Sequence, residues 1–153
     1  MGNSVISARV RRRLLDSLYV EAMVLADEAR TYFDECGRQE RMALGPMERV
    51  SFSCESLKVT TRLMHIIAWL LTQRAVDAGE MAPRDALDPS RRLGTPPATE
   101  ADILSSMPPQ AKALILNSVE LYRRTARLDA TQAAAQPANS PARSMLERLQ
   151  IAF

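Results

Sequence analysis

Apolar side chains recur along the chain at alternating spacings of three and four residues, the period of a helix that packs against other helices. Over residues 7–36 this pattern predicts a first long helix, which ends at Gly37. The polar segment GRQERMALGP that follows is interpreted as a turn. The positions predicted to face the core are Leu15, Leu18, Ala22, Leu25, Ala29, Tyr32 and Cys36.

A second pattern of the same kind predicts a helix from Pro46, which suits a first-turn position, to about Ala78, with Gly79 as its stop. The short turn before it makes the first two helices an antiparallel hairpin. The seam predicted to face the core is Val50, Cys54, Leu57, Thr61, Met64, Ala68, Leu71 and Ala75.

The segment 80–97 is rich in Pro, Asp, Ser and Gly, so it is interpreted as a long connection that returns the chain along the hairpin. A third helix is predicted from Pro108-Pro109 to about Asp129. The fold class that follows is all-α, an antiparallel three-helix bundle over residues 1–130. The inward positions of the third helix are Ala111, Leu114, Ser118, Leu121, Thr125 and Leu128, with Ile115 and Tyr122 beside them.

Residues 131–153 are predicted to form a flexible tail, because ATQAAAQPANSPAR has the composition of a linker. The tail ends in the apolar peptide SMLERLQIAF, which is too short to be a stable helix alone. It either docks on its own bundle or binds a partner. The candidate contact residues in this peptide are Met145, Leu146, Leu149, Ile151 and Phe153.

The chain lacks the residue patterns of common active sites, so we expect no catalytic residue, cofactor or metal. Its five glycines are scattered, and one histidine with two distant cysteines does not make a common zinc site. Cys36 and Cys54 are interpreted as small buried hydrophobes in a reducing cytosol. The longest apolar run, Ile66 to Leu71, is far below the roughly 20 residues of a membrane span. These features predict a cytoplasmic protein.

The residues leave two functions open, a small helical enzyme and a nucleic-acid-associated protein. An all-helical mutase of the chorismate type would use arginines and a glutamine to hold an anionic substrate, and Arg11, Arg62, Gln73 and Arg123 are available for it. A nucleic-acid-associated dimer would rest on the segment RVRRR at residues 9–13. The net charge is only +2, which gives no strong bulk attraction to nucleic acid, so we expect no such partner.

The second helix carries more apolar surface than one bundle covers. On a helical wheel, Ile66 and Trp69 lie opposite the predicted seam, in a row with Glu55, Lys58, Arg62 and Gln73. An apolar pair framed by polar residues is typical of an interface centre, which predicts a two-fold dimer. Alternatively, the third helix, the connection or the terminal peptide covers Trp69. The candidate interface residues are Val20, Val24, Arg62, Ile66, Trp69 and Gln73.

Three segments resemble the RcdA family, bacterial regulators of CtrA degradation: LYVEAMVLADEARTYFD (18–34), LKVTTRLMHIIAWLLTQRAVDAGE (57–80) and LYRRTARLD (121–129). The resemblance implies a homodimeric three-helix bundle with a mobile tail and no enzymatic activity. It further implies an adaptor of the ClpXP protease in cell-cycle-regulated proteolysis. Such an adaptor docks on ClpX that a CpdR-like response regulator has primed, and it delivers cargo such as transcriptional regulators.

Overall fold

The computed structural model describes residues 2–135 and 141–152, and the regular structure in these ranges is entirely helical. The all-α prediction is therefore confirmed for the described residues. In chain order, the elements are α1 (Gly2–Thr31), a π-helical segment (Tyr32–Cys36), α2 (Arg38–Ala43), α3 (Pro46–Asp77), 3₁₀ turns at Asp85–Leu87 and Pro89–Arg91, α4 (Ala101–Ser106), α5 (Pro109–Ala135) and α6 (Pro141–Ala152).

The long helices α1, α3 and α5 pack against one another and form the helical core. Arg11 near the start of α1 pairs with Asp77 at the end of α3, so these two helices are antiparallel. Arg62 of α3 contacts Ser118 of α5, and Trp69, two turns later in α3, contacts Asp129 further along α5, so these two helices run in the same direction. Helix α5 continues to Ala135, beyond its predicted end.

The corner between α1 and α3 is more regular than the predicted turn, because residues 38–43 form the short helix α2. At Gly37 a side chain would come within 2.8 Å of the Tyr32 carbonyl oxygen, so this turn requires glycine. The Tyr32 hydroxyl donates a hydrogen bond to Glu40 and ties α2 to the core. Burial of this hydroxyl and the neighbouring carboxylate raise the pKa of Tyr32 above its ordinary value.

The end of α3 agrees with the prediction that Gly79 is its stop. Gly79 has a φ of +75° and follows the cap residue Ala78, in the left-handed conformation that favours glycine. The Glu80 amide donates to the Ala75 carbonyl at 2.9 Å and the Gly79 amide to the Val76 carbonyl at 3.1 Å. This pair of bonds is a Schellman motif, which satisfies two of the carbonyls left open at a helix end.

The predicted inward positions of α1 and α5 are largely confirmed. Six of the seven positions predicted for the first helix are buried, and the exception is Cys36, which lies in the π-helical segment and is exposed. In α5, Leu128 and Tyr122 are half-buried and the other predicted positions are buried. Cys54 is also exposed, so the expectation that both cysteines are buried hydrophobes is wrong.

The prediction for α3 is wrong in rotation, because its core-facing and solvent-facing sides are exchanged. Leu57 and Met64, predicted as core, are 68% and 65% exposed. Val50, Cys54, Ala68 and Leu71 are exposed as well. The side chains of α3 that the structure buries are Phe52, Glu55, Val59, Arg62, Leu63, Ile66, Trp69, Leu70 and Gln73.

Candidate interaction surfaces

Arg62 lies beneath the connection between α3 and α5, and it is only 2% exposed. Its guanidinium donates to the Pro97 carbonyl at 3.1 Å, to the Thr99 hydroxyl at 2.5 Å and to the Ser118 hydroxyl at 3.4 Å. One arginine therefore joins α3, α5 and the connection. A planar guanidinium with five donors suits this role, because its N–H groups point in several fixed directions.

Glu55, two helical turns before Arg62, supplies the negative charge of this site. Its carboxylate accepts from the Thr99 hydroxyl at 2.6 Å and pairs with Lys58 at 3.0 Å. Lys58 also donates to the Ala98 carbonyl at 3.0 Å. Burial lowers the pKa of Arg62, and the charge of Glu55 opposes that change. The polar residues on this side of α3 are thus paired internally rather than solvated.

A second polar site fixes the middle of the connection near the end of α5. The Trp69 indole N–H donates to Oδ1 of Asp129 at 3.0 Å. Arg92 binds the same carboxylate with two hydrogen bonds, of 2.8 and 2.9 Å, and this interaction raises the pKa of Arg92. Two residues further on, the Gly94 carbonyl accepts from the Tyr122 hydroxyl at 2.8 Å. Among the described side chains, no buried nitrogen or oxygen lacks a hydrogen-bond partner.

Gly94 allows the connection to lie directly against His65, the single histidine of the chain. A Cβ at position 94 would overlap Nδ1 and Cε1 of the His65 ring. Gly94 does not have the positive φ found at Gly79, so an alanine fits its backbone conformation and only the overlap opposes it. His65 is accordingly a half-buried structural residue that the connection covers.

We expect Gly94→Ala to lower the free energy of unfolding by about 1–3 kcal/mol, because the added methyl overpacks this contact. Urea titration followed by circular dichroism measures the change. The control is the same substitution in a His65→Ala background, where the overlap is absent and its cost falls below about 0.5 kcal/mol. An equal loss in both backgrounds would show that His65 is not the obstacle.

The six predicted interface residues do not lie on one surface. Val20 and Val24 are exposed on α1, and Val24 lines a groove between α1 and α5 with Glu21 and Arg124. Arg62, Ile66, Trp69 and Gln73 are buried in the helical core, so the expectation that they are exposed is wrong. Helix α5 and the connection cover Trp69, as the alternative interpretation required.

The exposed side of α3 carries an apolar stripe that the sequence interpretation assigned to the core. Val50, Leu57, Met64 and Leu71 follow one another at intervals of seven residues, and all four are exposed. Cys54 and Ala68 lie between them on the same side. The stripe from residue 50 to residue 71 is about 30 Å long at the helical rise of roughly 1.5 Å per residue. An exposed apolar surface of this extent is typical of a protein-binding site.

Of the four residues considered for a mutase, Arg11 and Gln73 contact each other, whereas Arg62 and Arg123 are engaged elsewhere. Arg11 binds Asp77 at 2.7 Å and Gln73 at 2.8 Å, near one end of the helical core. Arg123 is exposed on α5 and pairs with Glu120 at 3.1 Å. Arg62 is held by Ser118 and the connection. The structure therefore does not bring these four residues into one anion-binding cavity.

Three other candidate features are a metal site, a membrane-spanning helix and the basic segment at residues 9–13. Within residues 2–135 and 141–152, no group of three or more His, Cys, Asp or Glu side chains is arranged to hold a metal ion. In the described part of the chain, no helix combines the length and the hydropathy needed to cross a membrane. Of the basic segment at residues 9–13, Arg9, Arg12 and Arg13 are exposed.

A solved structure and a protein family are similar to this chain. No curated protein matches the chain. The structure is similar to the crystal structure of RcdA from Caulobacter crescentus CB15, with a TM-score of 0.64 and 34% sequence identity, covering 78% of this chain and 90% of that one. The fold is thus RcdA-like. Residues 6–153 match a family described as "Protein of unknown function (DUF1465)", and the chain therefore belongs to the DUF1465 family.

Proposed function

We propose that this chain is a non-enzymatic adaptor of the RcdA type, a dimer of three-helix bundles that works in the cytoplasm. In this role it links cargo proteins, such as transcriptional regulators, to a ClpXP protease that a CpdR-like response regulator has primed, and it thereby supports cell-cycle-regulated proteolysis. The observation that carries the proposal is the similarity to RcdA at 34% identity over most of both chains.

The surfaces described above support a binding role. The polar side chains in the middle of α3 are satisfied by the connection and by α5, so they serve the fold. The exposed side of the same helix offers apolar residues without a covering element among the described residues. When a partner removes such a surface from water, the free energy falls by roughly 25 cal/mol for each Å² of apolar area that is buried.

The spacing of the stripe supports a second copy of α3 as its partner in the dimer. Residues 50, 57, 64 and 71 repeat every seven positions, and apolar side chains at such intervals form the contact seam of paired helices. A partner helix must match the stripe in length and period, and α3 of a second protomer does both. A two-fold axis would place the same residues on both sides of the contact. The dimer interface proposed here is thus the stripe of α3.

A pull-down with purified components tests the adaptor role. The immobilised full-length chain is incubated with ClpX from the same source, with or without a CpdR-like regulator in its unphosphorylated form. We expect ClpX to be retained at least tenfold more strongly when that regulator is present. The matched control contains the phosphorylated regulator, which does not prime the protease and should give only background retention. Equal background retention in all mixtures would contradict the proposed function.

A further inference from the structure

An apolar groove lies at the end of the helical core where α1 begins and α5 ends. It encloses about 350 Å³, and the edge of Trp69 forms part of its wall. The groove side of α1 contributes the exposed residues Val10 and Leu14. The α5 side contributes Leu128, Thr131 and Ala135, the last residue of that helix. An open apolar groove at a helix end can accept the apolar side chains of one further helical segment.

Helix α6 carries a matching apolar face. Met145, Leu146, Leu149 and Ala152 lie within an arc of roughly 120° at the helical spacing of 100° per residue. Met145, Leu146 and Leu149 are 67%, 60% and 53% exposed in the structure. Ile151 lies outside this arc, on another side of the helix. A 12-residue helix is marginal in water unless its apolar face packs against another element.

The length of chain between the groove and α6 restricts the possible arrangements. Ala135 lines the groove and α6 begins at Pro141, so only residues 136–140 separate them. Connections of about two to eight residues join helices that pack antiparallel to each other. Position 138 is the midpoint of residues 136–140. Thr131 and Met145 each lie seven positions from it, so an antiparallel α6 places Met145 beside Thr131. Thr131 lines the groove together with Leu14.

We propose that α6 docks into this groove of its own chain, as a fourth helix antiparallel to α5, with Met145 next to Leu14. The proposal is independent of the adaptor function, because it concerns only how the chain covers its own surface. The short tether favours the chain's own groove over that of a second copy, since an effective concentration on the order of mM exceeds the protein concentration in ordinary solutions.

Disulfide trapping in the full-length chain tests this arrangement. The background is Cys36→Ser with Cys54→Ser, which removes two exposed thiols. Into it are placed Leu14→Cys and Met145→Cys, and the formation of the intramolecular disulfide is followed on non-reducing gels. A disulfide needs Cα atoms within roughly 4.4–6.8 Å, so only a docked α6 forms it readily. We expect oxidation at least tenfold faster than in the control.

The control combines Met145→Cys with Arg12→Cys, at an exposed position on the opposite side of α1. The tether is the same in both variants, so a difference in rate reports docking rather than proximity along the chain. Equal rates in the two variants would overturn the proposal. Covalent dimers formed at low protein concentration would overturn it as well, because they would show that α6 binds the groove of a second copy.

Hydrogen exchange gives an independent measurement on the natural sequence. A docked α6 should exchange its amides at least tenfold more slowly than the same segment in a Met145→Glu variant. Ile151→Glu introduces the same charge outside the apolar arc and should leave the protection unchanged. Exchange at the unprotected rate in the unmodified chain would refute docking.

Discussion

Replacing Trp69 with alanine should destabilise the fold by about 3–5 kcal/mol, the usual cost of truncating a buried tryptophan. Trp69 is 3% exposed, packs in the helical core and donates its indole N–H to Asp129. The alanine leaves a cavity and removes one of the donors that satisfy this carboxylate, which then depends on Arg92 alone. Chemical denaturation followed by circular dichroism measures the loss.

Trp69→Phe separates the two contributions to this effect. Phenylalanine keeps most of the ring volume but cannot donate to Asp129, so the expected cost is smaller, about 1–3 kcal/mol.

Light scattering of folded Trp69→Ala at low temperature should still show the oligomeric state of the unmodified chain. A variant with unchanged stability and half the molecular mass would contradict the buried position of Trp69 and support its assignment to an interface.

The sequence predicted α1 and α5 well because their apolar and polar sides differ clearly. In α1, Leu15, Leu18 and Leu25 alternate with exposed residues, and each of the three is buried. Helix ends at Pro46, Gly79 and Pro109 were also predictable, because proline and glycine have strong positional preferences at helix termini. The local chemistry of single residues was sufficient for these features.

The rotation of α3 could not be predicted from its own sequence, because both sides of the helix are apolar. Leu57, Met64 and Leu71 make one side, and Ile66, Trp69 and Leu70 belong to the other. The helical wheel favoured the side with fewer polar residues as core. In the structure the side with Glu55 and Arg62 faces the core, because hydrogen-bond partners such as Thr99 and Ser118 satisfy these two residues. These partners lie far away in sequence, so the sequence of α3 alone does not reveal them.

The candidate surface was missed for the same reason. A seam of seven-residue period indicates that a helix will pack through it, but it does not say whether the partner is in the same chain. The polar groups of the connection are the sequence feature that indicates the true core side of α3. Thr99 accepts a hydrogen bond from Arg62 and donates one to Glu55, and the Pro97 carbonyl accepts a second bond from Arg62. A long connection rich in polar groups can cover charged helix positions as effectively as another helix covers apolar ones.

Met64→Glu combined with Leu71→Glu should convert the proposed dimer into a monomer. Both residues are exposed in the single chain, so the charges remain in water in the monomer and leave its melting temperature within a few degrees. In the dimer the same charges would face apolar residues and each other across the two-fold axis, which raises the dissociation constant at least about 100-fold. Light scattering coupled to size-exclusion chromatography measures the mass, from twice 17.0 kDa to 17.0 kDa.

Leu116→Glu is the matched control, because Leu116 is an exposed leucine of α5 outside the stripe, and it should leave the dimer intact. A dimer that survives both charges on α3 would exclude the stripe as the contact between protomers. The exposed valines of α1, Val20 and Val24, would then be the next positions to change. If the double substitution dissociates the dimer, a second copy of α3 explains both the seven-residue period of the stripe and the exposure of its apolar residues in the single chain.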